Sequence, residues 1–147
     1  MSSSGVRVAT TDTDRAAALR VRHAVFVEEQ GVDESLEYDG KDDNAVHFLA
    51  SEEGTAIGAA RLRTDDDETG KVERVAVRDS HRGSGWGRKL MVSIEDEARR
   101  QGLSTLVLHA QTSVEGFYHQ LDYRTVSDEF EEAGIPHVEM EKRLDVR

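Results

Sequence analysis

The segment of residues 75–90 constrains this chain more than any other, because it joins three kinds of backbone in a fixed order. It has the sequence VAVRDSHRGSGWGRKL, which predicts a buried strand, a turn rich in arginine and glycine, and the start of an amphipathic helix. Glycines leave backbone N–H groups free to face an anion, and a helix start adds unpaired N–H groups and a positive dipole end. Arg82, Arg88 and Lys89 supply full positive charges. The segment therefore predicts a pyrophosphate-binding site.

The spacing of the three glycines, Gly83, Gly85 and Gly87, excludes two common phosphate-binding motifs. A P-loop would need a closing Gly-Lys-Ser/Thr, and a dinucleotide-binding fold would need G-x-G-x-x-G, whereas this run is G-x-G-x-G. A glycine-rich turn between a strand and a helix that binds no ligand is the alternative that these residues leave open.

Length and composition exclude several classes of protein. A chain of 147 residues is long enough for one domain with a hydrophobic core, and no apolar run is long enough to span a membrane. The chain has no cysteine, which excludes a disulfide and a cysteine nucleophile, and its six histidines lack the spacing of a metal site, so we expect no metal. The N-terminus lacks a secretory apolar region, so we expect a cytoplasmic location.

Charge is the unusual property of the composition. Thirty acidic side chains against nineteen basic ones give a net charge of −11 at pH 7. Nucleic-acid binding needs a basic surface that displaces counterions, and none is expected here. An excess of Asp and Glu is typical of proteins that work in concentrated salt, which screens their self-repulsion. The composition therefore predicts a halophilic source with an acidic proteome.

The hydrophobic pattern predicts elements in the order β-α-β-β-β-α-β-α-β-β, which is an α+β domain with one mixed central sheet. The predicted strands cover residues 6–9, 45–51, 55–64, 71–77, 104–110, 123–130 and 137–144, and the predicted helices cover residues 16–25, 87–101 and 117–121. Thr112 and Glu115 have the spacing of a capping box before the last helix. With no repeat and no linker, residues 1–147 are predicted to be one domain, with residues 1–4 disordered.

Five segments in order along the chain resemble one protein family. Arg82, Gly85 and Gly87 match the Arg/Gln-x-x-Gly-x-Gly/Ala signature of the GNAT acetyltransferases. The other four are similar to the small ElaA-like branch of that family: RHAVFVEEQ from Arg22, LHAQ from Leu108, FY from Phe117 and GIPHVEM from Gly134. One departure is Asp122, which stands where the family usually has a glycine before the next aromatic residue. The resemblance covers about residues 20–142, nearly the whole chain.

The resemblance implies a fold and a substrate. The fold would be a single domain with a mixed, mostly antiparallel sheet, flanked by helices and splayed around the strand that binds the coenzyme. In this family the glycine-rich loop holds the pyrophosphate of acetyl-coenzyme A. By the resemblance, coenzyme-binding residues are Val75, Ala76, Val77, Arg82, Gly83, Ser84, Gly85, Trp86, Gly87, Arg88, Gln111 and Tyr118.

The activity implied is direct transfer of an acetyl group from acetyl-coenzyme A to a primary amine of a small molecule or peptide, within a ternary complex. Two other interpretations stay open: a module that binds acyl-coenzyme A without turning it over, and a nucleotide-binding or purely structural domain. Members of the family often form dimers, so a homodimer is one expected assembly.

Acetyl transfer to an amine needs a group that takes up the amine's proton and a group that protonates the leaving thiolate. By the resemblance, Tyr118 points at the coenzyme sulfur and is the predicted acid, with simple core packing as the alternative. Glu29 and Glu73 are the predicted candidates for the base, and Glu73 is equally consistent with an ion-pair role. Glu28, His109 and a proton relay through water are further candidates.

Overall fold

The computed structural model describes residues 4–144, which form an eight-stranded sheet with helices on both faces. The strands are β1 (Gly5–Val8), β2 (Val46–Glu52), β3 (Thr55–Thr64), β4 (Thr69–Val77), β5 (Thr105–Gln111), β6 (Arg124–Thr125), β7 (Phe130–Glu132) and β8 (Ile135–Arg143). The helices are α1 (Asp12–Arg22), α2 (Glu34–Glu37), α3 (Trp86–Arg100) and α4 (Glu115–Gln120), and a π-helical segment, His23–Glu29, follows α1 directly. Of residues 1–4, which were predicted to be disordered, residues 1–3 lie outside the described part of the chain.

The strand order in the sheet is β1-β2-β3-β4-β5-β8-β6, and β7 pairs with the beginning of β8. All of these pairs are antiparallel except that of β4 with β5, which run parallel. This arrangement confirms the predicted α+β class with a mixed, mostly antiparallel sheet. In the described part of the chain, no helix is long and apolar enough to cross a membrane.

The two faces of the sheet are covered by different helices. On α3, the residues Leu90, Ile94 and Ala98 recur at every fourth position and are fully buried, so this helix presents one apolar stripe to the larger core. On the opposite face, Ala18 and Val21 of α1 pack in a second, smaller core. The sheet therefore has a filled face under α3 and a face that α1 covers only over β2, β3 and β4.

The pairing between β4 and β5 ends halfway along both strands. It runs from Thr69 opposite Thr105 to Val72 opposite Leu108 and goes no further. Just beyond this point β4 contains a β-bulge, in which Arg74, at φ +59°, and Val75 oppose the single residue Ala60 of β3. A bulge bends its strand and increases the local twist. The second halves of β4 and β5 therefore diverge, and the expected splay of the sheet is present.

Three local predictions differ from the structure, the first of them only in the bounds of its helix. The first helix begins at Asp12, capped by the Thr11 side chain, and continues past residue 25 as the π-helical segment. The strand predicted over residues 123–130 is broken into β6 and β7, because the Ser127 hydroxyl, in place of a strand carbonyl, accepts the N–H of Glu139, and the register with β8 then shifts. Thr112 caps no helix: it begins a short 3-10 turn, and the carboxylate predicted to complete the capping box accepts a hydrogen bond from another threonine.

Candidate active site

One edge of β4 presents backbone groups to the gap between β4 and β5. The N–H of Arg78 donates to the carbonyl of Ile57 at 2.8 Å, while Val77 stands opposite Gly58 in the register with β3. Backbone groups of successive residues in a strand point to opposite sides, so the N–H and C=O of Val77 point away from β3. This edge can therefore pair with an extended chain that enters the gap.

The turn after β4 ends in a helix start that no side chain caps. Gly83 and Gly85 have φ values of +80° and +86°, a conformation that favours glycine, and a Cβ atom on either would meet only open space. Gly85 is the N-cap of α3, and its carbonyl accepts the first helical hydrogen bond, from Lys89, at 3.1 Å. The preceding N–H groups of α3 have no acceptor among residues 4–144. They are directed at an open surface with the positive end of the helix dipole.

Gly87 has a packing role that the spacing alone does not reveal. A Cβ atom at this position would lie 3.1 Å from Cζ of Phe117. The missing side chain therefore lets the first turn of α3 lie against α4. The next side chain toward the turn, Trp86, is buried in the core, and the ammonium of Lys89 lies 4.5 Å from its ring centre.

All three side-chain nitrogens of Arg82 donate hydrogen bonds at the open end of the gap. Its Nη1 and Nη2 atoms donate to the two carboxylate oxygens of Glu29 at 2.6 and 2.7 Å. Its Nε atom donates to the carbonyl of Val77 at 2.9 Å, on the edge of β4 that faces the gap. The hydrogen bond from Arg82 holds the pKa of Glu29 below its usual range. Glu29 is therefore ionised at neutral pH.

Gln30 makes a second contact across the gap. Its side-chain oxygen accepts a hydrogen bond from Nε2 of Gln111, at the end of β5, at 2.9 Å. The end of the π-helical segment therefore contacts both sides of the gap. Glu29 binds the turn after β4, and Gln30 binds the end of β5. Sequence reasoning did not assign Gln30 to the site, although its place beside Glu29 in the ElaA-like segment was a signal.

Tyr118 lies in the core between Phe117 and Tyr123, with ring centres 4.9 and 5.8 Å away. Burial raises the pKa of its hydroxyl above the ordinary value, so the group keeps its proton at neutral pH. Its oxygen forms no hydrogen bond with any described residue, and the residue as a whole is 7% exposed. The hydroxyl therefore has a proton that it can donate to a group entering from outside.

Glu73 is held by two arginines. It faces Arg61 across the β3–β4 register, with a 3.0 Å hydrogen bond from Nε, and Nε of Arg63 donates to the same carboxylate at 2.5 Å. Burial by itself would raise the pKa of Glu73, but the hydrogen bond from Arg63 and the charge of Arg61 outweigh it, and the pKa is below its ordinary value. The geometry gives Glu73 the ion-pair role that the sequence left open.

Glu73 and its two arginines belong to a larger network of ion pairs that holds α2 and the loop after it against the sheet. Arg22 and Arg61 are completely buried and bind Asp42 together, at 2.7 and 3.0 Å. Other members of the network are Glu37, Asp39, Arg63, Glu73 and Arg74. The loop after α2 borders one side of the open face of the sheet, so the network holds this border in place.

The open face of the sheet also carries a histidine beside carboxylates. Leu108 and Ala110 of β5 point into the core, so His109 and Gln111 lie on the opposite face. The two ring nitrogens of His109 lie 2.9 Å from Glu132 and 3.3 Å from Glu139. Within the described residues, no group of three acidic or histidine side chains has the geometry to hold a metal ion.

The structure brings Glu29, Val77 and Arg82 into direct contact, and it links Gln111 to the same group through Gln30. The glycines and charged residues of the turn lie at the start of α3, beside the open end of the gap. Glu73 stands apart from this group, on the far side of the β4 bulge and within the ion-pair network.

Known proteins are similar to this chain in both sequence and fold. Residues 8–144 match the family described as the acetyltransferase (GNAT) domain. The uncharacterized N-acetyltransferase YjcF of Bacillus subtilis is 38% identical over 136 residues, which are 92% of this chain and 96% of that protein. Protein ElaA of Escherichia coli K12 is 34% identical over 132 residues, 87% of this chain and 86% of its own length.

Two solved structures extend the likeness to the fold. The crystal structure of Escherichia coli ElaA superposes with a TM-score of 0.83 at 27% identity, covering 97% of this chain and 99% of that one. An acyl-CoA N-acyltransferase from Pseudomonas aeruginosa gives a TM-score of 0.83 at 26% identity, over 95% and 99% of the two chains. The family match covers almost all of the described sheet, including the glycine turn and both diverging strands, and it shows that this chain belongs to the GNAT acetyltransferase family.

Proposed function

We propose that the chain is an acetyl-coenzyme A-dependent N-acetyltransferase that transfers the acetyl group directly to a primary amine of a small molecule or peptide. The observation that carries this proposal is the uncapped start of α3 beside the open end of the β4–β5 gap. The unpaired N–H groups at the start of α3 suit a pyrophosphate, and the backbone edge of β4 in the gap suits an extended arm that contains amides. Its proposed site of action is the cytoplasm.

The residues fit a coenzyme of this shape. The open space at Gly83 and Gly85 lets phosphate oxygens approach the backbone N–H groups from Gly83 to Arg88. Arg88 is exposed and forms no ion pair with any residue from 4 to 144, so its charge is available to an anion. The backbone of residues 75–77 would pair with the pantetheine arm as a neighbouring strand would, with Gln111 across the gap.

When bound, acetyl-coenzyme A supplies a thioester whose carbonyl carbon an amine can attack. The chain's part is to position the two reactants and to move protons. Tyr118 is the proposed acid: its raised pKa keeps the hydroxyl protonated, and its oxygen has no competing partner in the described chain. It would protonate the thiolate as the thiolate leaves.

The base is proposed to be water. Glu29 and Glu73, the two carboxylates predicted for this role, are both paired with arginines that lower their pKa. A carboxylate held ionised in this way has little tendency to accept a proton, although it attracts an ammonium group. The amine would therefore lose its proton to solvent that enters over the open face of the sheet.

The test is a calorimetric titration of the protein with acetyl-coenzyme A, followed by an assay for free thiol with a panel of primary amines. One-to-one binding, together with amine-dependent and saturable release of coenzyme A, would support the proposal. Binding without transfer to any amine would favour the binding-module alternative. Absence of binding in both low and molar KCl would refute the coenzyme site and the activity together.

A further inference from the structure

The Glu29–Arg82 ion pair occupies an arginine of the turn where the pyrophosphate is proposed to bind. Glu29 takes both terminal nitrogens of Arg82, in a two-pronged contact at 2.6 and 2.7 Å. The remaining nitrogen, Nε, binds the carbonyl of Val77. Of the five N–H groups of the guanidinium, Glu29 takes the parallel pair on Nη1 and Nη2, and the Val77 carbonyl takes the one on Nε. The two N–H groups that remain point apart, so Arg82 cannot make a bidentate contact with a phosphate while these bonds are kept.

The same ion pair lies across the path of the coenzyme arm. Arg82 reaches back to the gap-facing edge of β4 at Val77, and Glu29 joins it from the end of the π-helical segment. Gln30 continues the crossing to Gln111 of β5. Together these side chains form a clasp, defined here as Glu29, Gln30, Arg82 and Gln111, over the mouth of the gap.

From this geometry we propose that Glu29 competes with the coenzyme pyrophosphate for Arg82, so that coenzyme binding opens the clasp. The inference rests on the proposed function, because it needs the coenzyme to bind at the turn after β4. The coenzyme brings two phosphate groups that replace one carboxylate, and the displaced Glu29 leaves the mouth of the gap. A carboxylate without an arginine partner is still ionised at neutral pH, so the freed Glu29 faces the open side of the sheet as an anion and water stays the proposed base.

Solvent exposure keeps the Glu29–Arg82 ion pair weak enough for a phosphate to replace Glu29. Side-chain exposures of 39% for Arg82 and 40% for Glu29 place the pair in contact with solvent, where an ion pair contributes little net stability. Asp79 lies 3.5 Å from Arg82 and adds a weaker attraction from its own side. An incoming pyrophosphate can therefore break the contact, while the loss of Glu29 should measurably ease its entry.

The test compares two matched variants, Glu29→Gln and Glu28→Gln. Each removes one negative charge from neighbouring positions of the same segment, but Glu28 forms no ion pair with the described residues. In calorimetric titrations with acetyl-coenzyme A at fixed low salt, E29Q should bind about fivefold more tightly than the parent, the size expected for release from an exposed ion pair. E28Q should differ from the parent by much less.

A double-mutant cycle locates the effect at Arg82. In an Arg82→Gln background there is no guanidinium to compete for, so adding E29Q should change coenzyme affinity no more than adding E28Q. Thermal unfolding of each variant checks that the fold is kept. A parent that binds coenzyme while E29Q binds equally or more weakly would overturn this inference alone, because it would make Glu29 a support for Arg82. A parent that binds no coenzyme would overturn the proposed function as well.

Discussion

Tyr118 and Tyr123 are in edge-to-face contact, yet their hydroxyl groups have different surroundings. Tyr123 donates to the buried carboxylate of Glu95 at 3.1 Å, and Lys142 binds the other oxygen of that carboxylate. Tyr118 has no such partner among the described residues. Two neighbouring residues of the same type therefore offer a test in which one hydroxyl is structural and the other is available for chemistry.

Replacing Tyr118 by Phe should lower kcat by about 100-fold or more, the range for loss of a general acid, while the affinity for acetyl-coenzyme A changes little. Steady-state kinetics and calorimetry measure the two quantities separately. Tyr123→Phe is the matched control: it should lower the free energy of unfolding by about 1 kcal/mol through its lost hydrogen bond and leave kcat nearly unchanged. Equal kcat values for Y118F and the parent would remove Tyr118 from the mechanism.

A carboxylate at Gly85 should abolish coenzyme binding. In Gly85→Glu the new side chain starts from open space at the N-cap of α3, where the pyrophosphate is proposed to lie, and it brings a negative charge. The φ of +86° makes any side chain there strained by about 1–2 kcal/mol, so stability must be measured too.

Gly102→Glu controls for that strain. Gly102 follows the other end of α3, has φ +82°, and a Cβ there also meets open space. Both variants should lose similar stability in thermal melts, but only G85E should fail to bind acetyl-coenzyme A in calorimetry. If G85E bound like G102E, the pyrophosphate would have to lie elsewhere.

At the scale of elements, the bulge in β4 separates the paired half of the strand from the open half. Arg74 adopts φ +59° there, in the left-handed region that is strained for residues other than glycine. Its guanidinium donates to the carbonyl of Leu36 at 3.0 Å and pairs with Glu37, so the network around α2 stabilises the strained conformation. The same ion pairs that fix the loop therefore help to keep the sheet splayed.

The strain at Arg74 can be isolated with two substitutions. Arg74→Ala and Arg74→Gly both lose the guanidinium, but only glycine adopts the left-handed conformation without strain, so R74G should be more stable than R74A by about 1 kcal/mol. At Lys71, an ordinary strand position of β4, the order should reverse, because glycine weakens a regular strand. Urea unfolding of the four variants measures both differences. The same order at both positions would contradict a strained bulge.

The bounds of a helix or strand were predicted closely where neighbouring residues in the sequence mark both of its ends. The hairpin predicted over residues 45–51 and 55–64 corresponds to β2 and β3, and the helix predicted over residues 87–101 corresponds to α3 with a shift of one residue. The two strands are mostly apolar runs joined by a turn at Gly54, and the helix has an apolar repeat every four residues that ends before Gly102. Their bounds therefore follow from the chain itself.

The rest of the site depends on contacts between distant segments. No local pattern marks Arg74 as a left-handed residue, because its conformation is stabilised by groups more than 30 residues away. The sequence of the π-helical segment predicts an ordinary α-helix. In the structure, however, the N–H of Gln30 donates to the carbonyl of Val25, five residues back. The contact of Glu29 with Arg82 joins residues 53 apart. The glycine turn could be predicted from the sequence, whereas the clasp over it could not.

At the scale of the whole molecule, the fold distributes charge unevenly. The buried arginines Arg22 and Arg61 are matched by carboxylates of the network, and the turn after β4 concentrates Arg82, Arg88 and Lys89 in one short segment. The net charge of −11 must then be carried by the remaining surface. A polyanionic coenzyme would therefore approach a local positive region on a protein that otherwise repels it, and salt should weaken that repulsion.

Self-repulsion of the acidic surface should make the folded state more stable in concentrated salt. We expect Tm to rise by at least about 3 °C between low and molar KCl, the shift that roughly 1 kcal/mol produces in a chain of this size. The double variant Asp65→Asn, Asp67→Asn tests the cause, because both side chains are exposed and form no ion pair among residues 4–144. It should unfold at a higher temperature than the parent in low salt and gain less from KCl. Equal Tm values for the parent at both salt concentrations would argue against a protein adapted to a saline cell interior, because repulsion would then be too weak to matter.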